Sequence, residues 1–264
     1  MKKPLARLVS GPDKAPVIAA LHGVTDNAAS LCHIAERWNR SHRVVLFDSP
    51  GHGLSPRVGQ REEPMRYIID KVAKNLVALA KEAGPITLLG HSMGGAIAAE
   101  VSRMHPEILR AVILEDPSLL TRERLDSYRA GIPDSLRHVD AVAADPAHFI
   151  AENRRDYPTW PVSEVGPWAQ AKIQVDRDFL AAGEVGVVTD LADYLSTLIV
   201  PTLLLTGDRP DAIHGHRAIE ACEAAGNELV TAQVIENAGH CVRRDNGEAF
   251  YRAVESFCLR GRSA

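Results

Sequence analysis

Short apolar runs recur along the chain, each followed by a stretch whose apolar residues fall three or four positions apart. Val17-Ile18-Ala19-Ala20-Leu21 has no polar interruption, the pattern of a strand covered on both faces. Residues 27–40 read as an amphipathic helix, and Arg43-Val44-Val45-Leu46-Phe47-Asp48 as the next strand. Pro64 opens a helix through residue 82, where Ile68, Ile69, Val72, Leu76, Leu79 and Ala80 share a face; Gly84 stops it. A strand over 86–89 and a helix ending before Pro106 come next, then a strand over 111–115. After a break, alternation resumes with strand 201–206, helix 216–225, strand 229–235 and helix 247–259. Residues 6–10 leave room for an antiparallel edge strand. Such alternation predicts an α/β fold: a mostly parallel sheet with helices on both faces.

The rhythm breaks between residues 117 and 190. No clear strand is visible there, and prolines cluster with aromatics in Tyr157-Pro158-Thr159-Trp160-Pro161 and Pro167-Trp168. A mainly helical cap or lid over 117–190, inserted into a core made of 1–116 and 191–264, is expected. A net charge of -4 without a polybasic patch gives nucleic-acid binding no electrostatic support. No run of eighteen apolar residues suits a membrane span, and Arg7, Asp13 and Lys14 interrupt any signal-peptide core. A soluble cytoplasmic protein is expected. Cys32, Cys222, Cys241 and Cys258 have spacing that suits neither zinc nor a disulfide framework.

The chemistry concentrates in Gly90-His91-Ser92-Met93-Gly94, placed between a strand and a helix of small residues. A serine at the tip of so sharp a turn lifts its oxygen clear of the sheet edge. Its hydroxyl needs a general base. His240, in Glu236-Asn237-Ala238-Gly239-His240 after an apolar strand, is the candidate, while His91 is expected to point away from the elbow. An oxyanion hole needs two backbone N–H groups. Met93 follows the serine, and Val24 lies in Leu21-His22-Gly23-Val24-Thr25, where glycine permits a close turn. Cys241 reads as a packing residue, with nothing beside it to make a thiolate.

Leu21-His22-Gly23, Asp48-Ser49-Pro50-Gly51-His52-Gly53-Leu54-Ser55, Gly90-His91-Ser92-Met93-Gly94-Gly95 and Ala238-Gly239-His240 together resemble the α/β-hydrolase superfamily, in its order and across nearly the whole chain. The resemblance implies an eight-stranded mostly parallel sheet, a lid after the sixth strand and a serine-histidine-acid triad. It gives the Asp48 to Ser55 segment a structural role. The chain departs from the pattern in its short start and at the acid. The family's usual aspartate follows the seventh strand, but Gly207-Asp208-Arg209-Pro210-Asp211 has proline at that place. Asp116, in Leu114-Glu115-Asp116-Pro117, stands where some relatives such as haloalkane dehalogenases carry theirs. Asp116 is placed first and Asp211 second, with Asp208 and Glu115 behind them.

These readings predict hydrolysis of a carboxylic ester or lactone of a small, apolar substrate, without metal or other cofactor. Tyr157, Trp160 and Trp168 are candidate pocket residues, with Phe149 beside them. A serine at position 92 excludes the nucleophilic aspartate of dehalogenases and epoxide hydrolases. Carbon–carbon bond or thioester hydrolysis, a metal-free haloperoxidase or perhydrolase, and a non-catalytic ligand receptor remain as alternatives.

Overall fold

The computed structural model describes residues 4–260. Its strands are β1 (Arg7–Ser10), β2 (Val17–Leu21), β3 (Arg43–Phe47), β4 (Ile86–His91), β5 (Leu109–Glu115), β6 (Leu119–Leu120), β7 (Val187–Val188), β8 (Thr202–Gly207) and β9 (Val230–Ile235). Seven form one sheet in the order β1-β3-β2-β4-β5-β8-β9. Every neighbouring pair in it is parallel except β1 on β3. Among the described residues that is one strand fewer than the resemblance implies, with β1 preceding β2.

Alternate residues of each strand enter opposite cores, as a period of two requires. Val17, Ala19, Leu21, Val45 and Phe47 pack into one layer, and Ile18, Ala20, Val44 and Leu46 into the other. The first layer meets α2 (Pro64–Ala83) and α3 (Met93–Met104); the second meets Ile34 and Trp38 of α1 (Cys32–Trp38). The segment 117–190 carries α4 (Arg122–Ala130), α5 (Ile132–Ala144), α6 (Pro146–Asp156), α7 (Val162–Gln174) and α8 (Arg177–Ala182). Then come α9 (Leu191–Ser196), α10 (Arg217–Ala225), α11 (Val242–Asp245) and α12 (Gly247–Arg260). Phe250, Tyr251 and Val254 of α12 complete the second layer.

Two local expectations need correction. The region 117–190 does contain strands: β6 and β7 pair in parallel through Leu119–Val187 and Leu120–Val188, joining the two ends of the insertion. Two-residue strands are too short to leave a periodic signal. The helix expected over 27–40 starts late, at Cys32, after a 3-10 turn over Ala29–Leu31. Reciprocal bonds hold that tight entry: Ser30 N–H donates to Asn27 Oδ1 at 2.9 Å, and Asn27 N–H to Ser30 Oγ at 3.1 Å.

Buried charges tie α7 to the core. Glu164, fully buried, accepts from Arg243 Nη1 at 2.7 Å, from Arg244 Nε at 2.8 Å and from the His33 N–H at 3.0 Å. Arg244 also pairs with Asp26 at 3.1 Å. Among the described residues, no helix is long and apolar enough to cross a membrane.

Candidate active site

The candidate residues meet at the carboxyl ends of the parallel strands, the edge where open α/β sheets bind ligands. Ser92 follows β4, at the centre of the sheet, with φ 53° and ψ -116°. A side chain dislikes that conformation, and the neighbouring backbone enforces it. Ser92 N–H donates to the Glu115 carbonyl at 2.9 Å, and its own carbonyl accepts from Ala96 N–H at 3.0 Å and Ser118 N–H at 2.9 Å. The flanking glycines are needed for space. A Cβ on Gly90 would lie 2.1 Å from the Gly94 carbonyl oxygen, and one on Gly94 would lie 2.4 Å from that of Leu21.

His240 Nε2 lies 3.0 Å from Ser92 Oγ, and its Nδ1–H donates to Asp116 Oδ2 at 2.6 Å. Asp116 has no exposed surface. Its carboxylate also accepts from Thr206 Oγ1 at 2.6 Å, Ile213 N–H at 2.8 Å and His214 N–H at 3.3 Å. Burial opposes the Asp116 charge, but the His240 bond and these donors outweigh it and hold its pKa below the usual carboxylate range. Burial likewise opposes charging of His240, and the bond and negative charge of Asp116 overcome it, so the imidazole pKa is raised.

The other carboxylates serve the backbone of the histidine loop. Asp211 Oδ2 accepts from the His240 N–H at 3.2 Å, Asp208 Oδ1 from the Ala238 N–H at 3.2 Å, and Asp245 Oδ2 from the Gly239 N–H at 2.7 Å. Glu115 accepts from the Arg243 N–H at 2.7 Å. None of these four is hydrogen-bonded to the imidazole, as Asp116 is.

Three positions, His91, Tyr157 and Phe149, differ from expectation. His91 does not point away: its ring centroid is 4.8 Å from that of His240, and its Nε2–H donates to the His240 carbonyl at 3.0 Å. Burial, reinforced by His240, pushes its pKa down to about 3, so it is a neutral donor that props the His240 loop. Tyr157 lies outside the cavity. It is 47% exposed and packs on Trp160 at 4.8 Å, because the Trp160 indole is turned inward to donate to Asp245 Oδ1 at 2.8 Å.

A cavity of about 460 Å³ opens at Ser92 and His240. Val24 lines it, while Met93 is the first residue of α3, so its N–H has no intrahelical carbonyl to reach. Trp160, Trp168, Tyr128 and Val185 give the cavity apolar wall, and Asp26, Lys172, Arg124 and Arg244 make it more polar than expected. Phe149 is not among its lining residues. Cys241 borders it, but burial pushes its thiol up to about 12, which suits packing and not thiolate chemistry.

Asp48 fixes the turn beside this site, accepting from Ala28 N–H at 2.7 Å and Leu54 N–H at 2.8 Å. His22 joins that turn to β2, its Nδ1–H donating to the Gly23 carbonyl at 2.7 Å and its Nε2 accepting from Ser49 N–H at 3.0 Å. Thr206, His214 and the Asp26–Arg244 pair were invisible as site residues, since each becomes recognisable only through contacts distant in sequence.

Comparison with known proteins agrees with this architecture. The family model described as alpha/beta hydrolase family matches residues 18–253, and the chain belongs to that family. It is 26% identical over 272 residues to the pimeloyl-[acyl-carrier protein] methyl ester esterase of Aeromonas hydrophila, covering 97% of this chain and 99% of that protein. It is 30% identical over 136 residues to a serine hydrolase-like protein of Danio rerio, a match spanning 49% of this chain and only 41% of that protein. The solved structure of E-2-(acetamidomethylene)succinate hydrolase superposes with a TM-score of 0.77 at 20% identity, over 96% of this chain and 94% of that one. Relatives of this kind are esterases, lipases and other hydrolases, and the chain is a hydrolase of the same family.

Proposed function

We propose that the chain is a serine hydrolase that cleaves a carboxylic ester or lactone of a small molecule through an acyl-enzyme on Ser92. The hydrogen-bonded chain Ser92–His240–Asp116, with Ser92 and His240 lining the cavity, carries this reading. Ser92 Oγ attacks the carbonyl carbon while His240 Nε2 takes its proton. The Val24 and Met93 N–H groups hold the oxyanion; such a donor is worth about 3–4 kcal/mol in the transition state. His240 returns the proton to the leaving alkoxide, giving the alcohol and an ester on Ser92. Water then attacks that ester as His240 takes a proton from it, and the carboxylic acid leaves as the proton passes back to Ser92. Asp116 stays ionised throughout, holding the imidazole in the tautomer with Nδ1–H and stabilising it when charged.

The segment 117–190 is the cap: Trp160, Trp168 and Tyr128 from it face the same cavity as the serine. A panel of p-nitrophenyl esters of graded chain length, run beside several lactones and one vinylogous diketone, tests the reaction class. Ester or lactone turnover that disappears in Ser92→Ala, with the variant still folded by circular dichroism, is the expected result. Unchanged ester hydrolysis by Ser92→Ala contradicts it.

A further inference from the structure

The cavity holds a cation that the acyl-transfer steps leave unused. Lys172, on α7, has only 6% of its surface exposed, yet it lines the same cavity as Ser92. Its Nζ donates to the Thr25 carbonyl at 3.3 Å and stands 4.3 Å from the centre of the Trp168 ring. An ammonium has three donors, and these contacts use one of them. Among the described residues no carboxylate lies within ion-pair distance of it. Of the two carboxylates of the cavity wall, Asp26 pairs with Arg244 at 3.1 Å through one oxygen and keeps the other without a hydrogen bond, and Asp211 accepts from the His240 N–H at 3.2 Å. Asp26 attracts Lys172 only from beyond ion-pair distance, and a buried charge without a direct ion pair is costly. Burial lowers the Lys172 pKa to about 8, with Asp26 opposing that and Arg244 adding to it, so the group is mainly cationic at neutral pH. Arg124 also borders the cavity and forms no ion pair among the described residues, so its cations Lys172, Arg124 and Arg244 outnumber its carboxylates Asp26 and Asp211.

Position makes this cation relevant to substrate choice. The carbonyl that receives Lys172 belongs to Thr25, next to Val24, whose N–H is assigned to the oxyanion hole. Thr25 has φ 59°, a left-handed conformation that sets its carbonyl apart from the preceding strand direction. We propose that the substrate is itself an acid: an ester carrying a carboxylate close to the scissile carbonyl, with the carboxylate held by the Lys172 ammonium. Trp168 and Trp160 cover the short apolar linker between the two groups. The inference rests on the acyl-transfer reading of Ser92 and names the substrate class for it.

The test compares matched pairs in which carboxylate replaces carboxamide: monomethyl succinate with methyl succinamate, and monomethyl glutarate with methyl glutaramate. Acid release is followed by pH-stat at pH 7 for the wild type, Lys172→Met and Lys172→Arg. The wild type favours the acid ester by about 10–100-fold in kcat/KM, the range of one charge-assisted hydrogen bond, expressed mainly in KM. Lys172→Met collapses that ratio toward one, and Lys172→Arg retains part of it. Equal kcat/KM for acid and amide in the wild type overturns the proposal, as does an equal loss on both in Lys172→Met. If Lys172→Met does not fold, competitive inhibition of the wild type decides: glutarate binding more tightly than glutaramide supports the anchor, and equal binding overturns it. Fluorophosphonate labelling of Ser92 keeps the two claims separate. Labelling without acid preference defeats the carboxylate anchor alone, whereas no labelling and no turnover defeats acyl transfer.

Discussion

At the scale of single residues, the account turns on how Asp116 and His240 share a proton-bearing bond of 2.6 Å. Asp116→Asn leaves an amide that cannot stabilise the charged imidazole and favours the wrong tautomer. It is expected to lower kcat by about 10⁴-fold. Asp211→Asn keeps an amide oxygen to accept from the His240 N–H and removes only a minor, longer-range charge on the imidazole, so it costs less than about tenfold. Steady-state kinetics of the two variants on one ester ranks them, and the reverse order would move the acid to the loop after β8. The pH dependence follows from the same bond. His240 acts as a base only when neutral, so kcat/KM falls as pH drops through its pKa, which lies above the ordinary 6.5. In Asp116→Asn the acid limb shifts to lower pH, because the bond and charge that raise the pKa are gone. Stability has the opposite sign. A raised folded pKa means the pair's contribution is complete below 6.5 and is lost as pH rises through the folded value.

At the scale of elements, the turn between β4 and α3 is a packing problem before it is a catalytic one. Gly94→Ala puts a methyl group 2.4 Å from the Leu21 carbonyl oxygen of β2, a backbone atom that cannot swing away. The fold is expected to lose about 1–3 kcal/mol in urea denaturation, and Ser92 to lose reactivity with it. This turn was legible because its glycines and serine are adjacent in sequence. So were the central strands, whose uninterrupted apolar runs match burial on both faces. The imidazole's carboxylate partner was harder to read: Asp116 and Asp211 follow neighbouring strands, and only the fold turns one toward the imidazole and the other toward the backbone. His91 and Tyr157 were misplaced for a related reason. Sequence fixes a residue's element, but ring packing at His240 and Trp160 fixes its direction.

At the scale of the whole molecule, the segment 117–190 is tied to the sheet by a buried cluster of charges. Arg243 and Arg244 precede the last helix, Glu164 sits in α7, and Asp26 follows β2, and all four are buried together, Asp26 and Arg244 against the cavity. Glu164→Gln removes the nearest counter-charge of Arg243 and one of the two that Arg244 has, and a buried pair broken on one side costs about 3–5 kcal/mol. Urea unfolding of Glu164→Gln is expected to show a midpoint lowered accordingly; a change below about 1 kcal/mol would mean that water or other groups compensate. The same network ties α7, which carries Trp168 and Lys172, to the residues beside the sheet.

All three scales converge on one atom, the hydroxyl oxygen of Ser92 raised beside His240. The direct measurement is to treat the protein with a fluorophosphonate, digest it and locate the adduct by tandem mass spectrometry. The account predicts one phosphonyl group per chain, on Ser92, formed more slowly as pH falls through the His240 pKa. A protein that stays unmodified, or is modified at Ser118 or elsewhere while Ser92 remains free, contradicts it.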